Sequence, residues 1–235
     1  MKNIKKSYVK DCFVFASCKT WNYEQFQSIS KDGNADWHYV ANESELKEVV
    51  DKNKPKYIFF LHWNWIVPES IFGNYECVCF HMTDVPYGRG GSPLQNLILA
   101  GHTDTMLTAL KMVKELDAGP VYIKTPLSLD GSAEDIYRRA GKLCVDLMNN
   151  IIQNTPQPEP QKGNVVMFKR RKPEQSTMPK IGGLKLAYDF IRMLDAEGYP
   201  RAYIQHGEYK IFFKNANICG DSITANVEIN LINQI

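Results

Sequence analysis

The chain has 235 residues and a formal net charge of +2 at pH 7. Hydrophobic residues make up 44% and charged residues 23%, the balance of a globular protein with one large domain and room for a small appendage. So small a net charge excludes a polybasic or strongly acidic chain and gives no global reason to expect nucleic acid or an anionic membrane as a partner.

The N-terminus, MKNIKKSYVKDCFVFASCK, is basic and then apolar, like the start of a secretory signal. Its apolar run is too short for an h-region and Lys19 follows at once. The most apolar stretch, YIFFLHWNWIVP, is far below membrane-spanning length, so the chain reads as cytoplasmic, with no membrane partner. CFVFAS is a buried strand and WHYV a second; NESELKEVVDKN is a helix with an asparagine cap and helical spacing of Leu46, Val49 and Val50. KYIFFLHW is the third strand, PESIFGN a short helix ending in glycine, and CVCFH the fourth strand. The loop that follows leads into a helix with Ser92 as cap and Pro93 at its first position. TMLTALKMV and PVYIKTPLSL are two further strands, and GSAEDIYRRAGKLCVDLMNNII is a long amphipathic helix capped by Ser132.

Strands alternating with helices predict an α/β fold, a Rossmann-like, mostly parallel sheet covered on both faces. Ligands of such sheets gather at the carboxyl ends of the strands, where His62, His81 and the KELDAGP turn fall. The proline-rich TPQPEPQKG makes 156–164 a linker between a core at 1–155 and a small α+β unit at 165–235. That unit holds a helix near GLKLAYDFIRMLDAEG and strands at 201–206, 209–214 and 222–230, a small antiparallel sheet. Its apolar strands suggest a homodimer.

None of the six cysteines forms a C-x-x-C and no histidine pair has zinc-ligand spacing, so no metal is expected. There is no G-x-G-x-x-G and no Walker loop. Taken singly, the remaining signals are bland: YGRGGSP is an ordinary strand-to-helix turn or an anion site, and KRRK at 169–172 an exposed basic face or a phosphate strip.

Their order carries more. FH-x-T-x-x-P-x-x-RG-x-x-P, followed by ELDAGPVY, resembles the formyltransferases that use N10-formyltetrahydrofolate. In this resemblance His81 takes the place of the family histidine, Thr83 of the serine, Pro86 of the proline and Asp117, 36 residues after His81, of the catalytic aspartate. It runs from about residue 12 to 155 and extends weakly into YDFIRMLDAEGYPRAYI, which is similar to the accessory region of enzymes formylating nucleotide-linked amino sugars. One departure is Cys79, where the family has asparagine; a thiol is a poor hydrogen-bond donor.

The resemblance implies formyl transfer from N10-formyltetrahydrofolate to an amine through a tetrahedral intermediate. A histidine suits the proton transfer near neutral pH, so His81 is expected as base and oxyanion partner and Asp117 as its orienting carboxylate. It also places the folate against Asn64, Trp65 and Ile66, then Val113, Lys114 and Leu116. The acceptor is expected at Thr83, Arg89, Gly90 and Gly91, at Gln95 and Asn96, and at Ser17, Lys19 and Trp21, with arginine suited to phosphate. The expected acceptor is a nucleotide-linked 4-amino-4,6-dideoxy sugar, a UDP- or dTDP-sugar for lipopolysaccharide O-antigen, and nucleic acid is not expected. Methionyl-tRNA is the alternative acceptor, disfavoured because only 165–235 follow the linker and the charge is near neutral. Cys79 keeps open a non-catalytic folate-binding relative, and a folate hydrolase is a further alternative.

Overall fold

The computed structural model describes residues 10–31 and 33–232; the basic start of the N-terminal stretch lies outside them. Six strands form one sheet: β1 (Cys12–Ala16), β2 (Asp36–Val40), β3 (Tyr57–Phe60), β4 (Glu76–His81), β6 (Asp104–Lys111) and β7 (Val121–Ser128), in the order β2-β1-β3-β4-β6-β7. The first four run parallel, with Phe13 opposite both Trp37 and Tyr57, and Tyr57 opposite Glu76. Their sequences explain this. Every residue of β3 is buried, as a strand covered on both faces requires, and it reads as a continuous apolar run rather than an alternation. The fold is the expected α/β one, with a mostly parallel sheet.

Helices alternate with these strands along the chain: α1 (Asn22–Ser30), α2 (Glu43–Asn53), α3 (Glu69–Phe72), α4 (Pro93–Leu99) and α5 (Ala133–Asn154). At α2, Asn42 Oδ1 accepts from the Glu45 N–H and the Glu45 carboxylate accepts from the Ala41 N–H, so the first turn leaves fewer orphan donors. At α5, Ser132 Oγ accepts from the Asp135 N–H while Asp135 Oδ2 accepts from the Ser132 N–H, a reciprocal cap. Among the described residues no helix is long and apolar enough to cross a membrane.

The chain divides into two compact units. The first holds the chain through His81, Ala109–Ile123 and Gly141–Gln161; the second holds Met82–Thr108, Lys124–Ala140 and the chain from Lys162 onward. The second contains a three-stranded antiparallel sheet, β11-β10-β9, made of β9 (Tyr203–His206), β10 (Tyr209–Cys219) and β11 (Ser222–Leu231). Helix α6 (Leu184–Arg192) is pinned by a buried ion pair. Arg192 Nε donates to Asp189 Oδ1 at 2.6 Å, and its Nη1 to the Leu129 and Gly131 carbonyls.

Three local features depart from the sequence reading. Helix α1 follows SCKTW with no side-chain cap, since Trp21 holds the cap position, so no start signal marks it. The glycine-rich loop after His81 contains a strand, β5 (Tyr87–Gly90), paired with β8 (Val166–Phe168), its partners 78 or 79 positions away in sequence. Gly90 is required there: its φ is +106° and a Cβ would lie 2.4 Å from the Phe168 carbonyl oxygen. Ser92, expected as the cap of α4, sits in the left-handed region without capping it. Its Oγ instead accepts from the Arg171 N–H at 3.0 Å.

Candidate active site

In the first unit the end of β4 and the loop after β6 bring His81 and Asp117 together. His81 Nδ1 lies 3.6 Å from Asp117 Oδ2, both side chains being nearly buried at 8% and 13% exposure. That is ion-pair range rather than a closed hydrogen bond, an arrangement that tightens when a catalytic complex forms. A carboxylate facing Nδ1 favours the proton there and leaves Nε2 as the basic nitrogen. Asp117 itself has φ +52°, a left-handed setting that aspartate, with asparagine, adopts more readily than most side chains.

The loop is held in that shape. Gln161 Nε2 donates to the Asp117 and Gly119 carbonyls, both at 2.8 Å. Gly119 folds so tightly that a Cβ would lie 1.7 Å from the Lys111 carbonyl oxygen. The glycine of ELDAGP is therefore a close-approach position, and Gln161 is a positioning residue that no sequence motif marks.

A second histidine-centred cluster stands at the ends of β1 and β3. Asn22 Nδ2 donates to Ser17 Oγ at 2.8 Å and lies 3.0 Å from His62 Nδ1. Cys18 Sγ donates to the His62 carbonyl. The Trp21 ring packs edge-on to His62 at 6.2 Å, and Lys19 Nζ lies 5.3 Å over Trp21. Burial, aided by the Lys19 charge, lowers the His62 pKa to about 4, so this imidazole is neutral at physiological pH. Ser17, Lys19 and Trp21 thus share one cluster. Ser17, Trp21 and Asn22 are buried and Lys19 half-buried.

The residues expected against folate lie in the loops after β3 and β6. Asn64, Trp65 and Ile66 are exposed, as are Lys114 and Leu116, while Val113 is half-buried. Ile66 at 91% and Leu116 at 65% exposure are apolar surface without a protein cover. Trp63 packs edge-on to Trp65 at 5.0 Å. Cys79 is no nucleophile here: burial and then the Asp117 charge push its pKa far up, and its Sγ donates to the Leu110 carbonyl at 3.7 Å.

In the second unit Thr83 is buried, donating to the Gly88 carbonyl and accepting from Thr108 Oγ1. Arg89 stands on β5 opposite Met167, and a Cβ on Gly91 would meet Arg170 at 2.5 Å. Asn96 Nδ2 donates to the Gly91, Ser92 and Lys169 carbonyls. Gln95 is 3% exposed, and its amide donates to Tyr137 Oη and the Met193 carbonyl. Of the KRRK run, Arg171 is half-buried, 5.6 Å from the Phe190 ring, while Lys169, Arg170 and Lys172 are exposed. Elsewhere Cys12, Asp36 and His38 bring three potential ligand atoms within 4.8 Å of one another, at the other end of β1 from Ser17. There the carboxylate is already engaged by the His38 ring at 3.1 Å.

A family profile described as "Methionyl-tRNA formyltransferase, C-terminal domain" matches residues 173–230. A solved structure described as methionyl-tRNA formyltransferase from Clostridium thermocellum is 42% identical, with a TM-score of 0.91, covering 94% of this chain and 99% of that one. The chain belongs to the formyltransferase family, in its methionyl-tRNA formyltransferase-like branch. A methionyl-tRNA formyltransferase of Thermotoga maritima is 25% identical over 185 residues, 73% of this chain; the chain spans 58% of that relative's length. A 4-N formyltransferase structure from Francisella tularensis is 18% identical with a TM-score of 0.63, over 85% of this chain and 93% of that one, a likeness of fold alone.

These findings correct two expectations. The nucleotide-linked amino sugar is not the acceptor the relatives favour, and the exclusion of nucleic acid falls with it. The lipopolysaccharide and O-antigen role is withdrawn for the same reason. The sugar reading rested on a weak likeness in YDFIRMLDAEGYPRAYI, and the family profile that matches there is the methionyl-tRNA formyltransferase one. Net charge misled because it sums over the whole chain, hiding the exposed Lys169, Arg170 and Lys172.

Proposed function

We propose that this formyltransferase moves the formyl group of N10-formyltetrahydrofolate to the free amine of methionyl-tRNA. The observation that carries the chemistry is the His81–Asp117 pair at the end of β4. The acceptor follows from the 42% identity to the Clostridium thermocellum protein over nearly all of its length. The attacking amine must be neutral. In this reading His81 Nε2 takes a proton from it as the nitrogen bonds to the formyl carbon, and Asp117 stabilises the imidazolium. The proton then passes to N10 as the carbon–nitrogen bond of the donor breaks.

Residues 1–155 supply this transfer chemistry and 165–235 the acceptor contacts. Trp65, Ile66 and Leu116, exposed and apolar, are the surface on which a flat pterin loses the most water-contacting area. Exposed Lys169, Arg170 and Lys172 supply the cations an RNA backbone needs, an attraction that weakens with salt. Incubation of the protein with N10-formyltetrahydrofolate and methionyl-tRNA tests the reading, with released methionine scored by mass and with His81→Ala alongside. Formylmethionine from the native protein alone is the expected result. Binding of folate with no transfer to methionyl-tRNA would refute it.

A further inference from the structure

We infer that Cys12, Asp36 and His38 form a binding site for a zinc ion, with water completing a tetrahedral shell; this does not rest on the formyl-transfer reading above. Strand register builds the site. β1 and β2 pair in parallel, with Cys12 opposite Asp36 and Val14 opposite His38. Residues two apart on a strand share a face, so Asp36 and His38 leave β2 on the side on which Cys12 leaves β1. Phe13 and Trp37, the pair between them in register, turn to the other face, where their rings meet at 5.0 Å. That aromatic contact helps keep the thiol, carboxylate and imidazole together. One potential ligand atom from each lies within 4.8 Å of the others.

The surroundings suit an ion. Farther along the same face, Val14, Ala16 and Val40 are buried with Leu46 and Val50 in one apolar cluster. Cys12 and His38 are half-buried and Asp36 is exposed. The three therefore stand where that core gives way to solvent, with a path for the ion and for the water that completes its shell. The backbone beneath is fixed from both sides. The Asp36 N–H donates to the Asp11 carbonyl at 2.9 Å, and the Lys56 N–H to the Cys12 carbonyl at 2.8 Å. Lys56 Nζ is bonded to Asp11 Oδ2 at 2.7 Å, while the Asp36 carboxylate turns to His38.

A thiolate, an imidazole and a carboxylate are the donors zinc takes, whereas calcium and magnesium take oxygen ligands. Bonds of about 2.0–2.3 Å at tetrahedral angles put ligand atoms about 3.3–3.6 Å apart. His38 Nε2 and Asp36 Oδ2 are 3.1 Å apart, so a small parting admits the ion between them and the thiol closes on it. The sulfur lone pair goes to zinc and the thiol proton to solvent, with no change of oxidation state. Because β2 is the outermost strand of its sheet, the ion ties that edge to β1. Zinc-ligand spacings describe ligands close together in sequence, which is why the sequence hides this site: Asp36 and His38 stand 24 and 26 residues after Cys12.

The test is titration of the reduced, metal-free protein with Zn2+, followed by calorimetry, and with Co2+, followed by absorption. Native protein is compared with Cys12→Ser, Asp36→Asn and His38→Gln, and with Cys219→Ser as a control at an exposed thiol. Thermal unfolding of each is recorded with and without Zn2+. The expected result is one Zn2+ per chain and a thiolate-to-cobalt charge-transfer band, both retained in Cys219→Ser. Each ligand substitution is expected to weaken zinc binding by at least about 10-fold, since even the hydrogen-bond partners of ligands are worth that much. Cys12→Ser is also expected to abolish the cobalt band. Zinc raises the unfolding temperature of the native protein but not of Cys12→Ser, and excess Ca2+ does not compete. Asp36→Asn and His38→Gln change less buried side chains and carry the test if Cys12→Ser fails to fold. A native protein that binds no Zn2+ overturns the inference. So does binding of undiminished strength in Asp36→Asn and His38→Gln, or a cobalt band that survives Cys12→Ser, because the ion then sits on other groups.

Discussion

Replacing Gln161 with alanine removes two hydrogen bonds at once, those its Nε2 makes to the Asp117 and Gly119 carbonyls at 2.8 Å. Each is worth about 1 kcal/mol net, so the shape of the 112–119 loop loses about 2 kcal/mol. Asp117 depends on that shape, because it sits in this loop with its carboxylate 3.6 Å from His81 Nδ1. At 1.4 kcal/mol per factor of ten, 2 kcal/mol corresponds to about a 30-fold change in population. The transfer rate is therefore expected to fall by up to about 30-fold, with His81 and the sheet intact. Single-turnover transfer read beside far-UV circular dichroism and thermal unfolding separates the two effects. A Gln161→Ala protein that folds normally and transfers at the native rate would show that the loop holds Asp117 without Gln161.

Gly90→Ala places a methyl 2.4 Å from the Phe168 carbonyl at φ +106°. A loss of about 1–3 kcal/mol is expected by urea denaturation, and an unchanged midpoint would refute the β5–β8 close approach. Asp189→Ala leaves buried Arg192 without its counter-charge and should cost about 3–5 kcal/mol. Lys185→Ala, on a side chain 72% exposed, should cost less than about 1 kcal/mol; equal losses in the two variants would contradict this. His62, with its pKa lowered to about 4, gives a pH dependence of known sign. The unfolded chain takes up the proton near pH 6.5 and the folded protein does not. Stability from this group is thus complete above pH 6.5 and is lost as pH falls toward 4, on the order of 3 kcal/mol. The histidine ring signals of the native protein and His62→Asn, followed by NMR between pH 4 and 7, check it; a His62 titrating near 6.5 would refute the buried neutral ring.

The β-rich runs CFVFAS, KYIFFLHW and CVCFH and the caps at Asn42 and Ser132 were legible in the sequence because they rest on local rules. Burial on both faces demands an unbroken apolar run, and a cap needs a short polar side chain beside its own helix. The pairing of His81 with Asp117 was legible only through the resemblance, since 36 residues of spacing say nothing of distance. The acceptor was misread because the sugar reading leaned on a weak likeness near the C-terminus and on net charge, whereas the 42% identical solved structure is described as a methionyl-tRNA formyltransferase.

By itself the sequence determined the α/β class, the strand ends at which histidines and an aspartate gather, and the departure at Cys79. Only the tertiary structure decided that Gln161 anchors the Asp117 loop, that Asn22 stands against His62, and that the glycines of YGRGG make room for β8. Each of these joins groups 40 or more residues apart in the chain. Long-range contacts are set by the packing of whole elements, and no local pattern of residues encodes them.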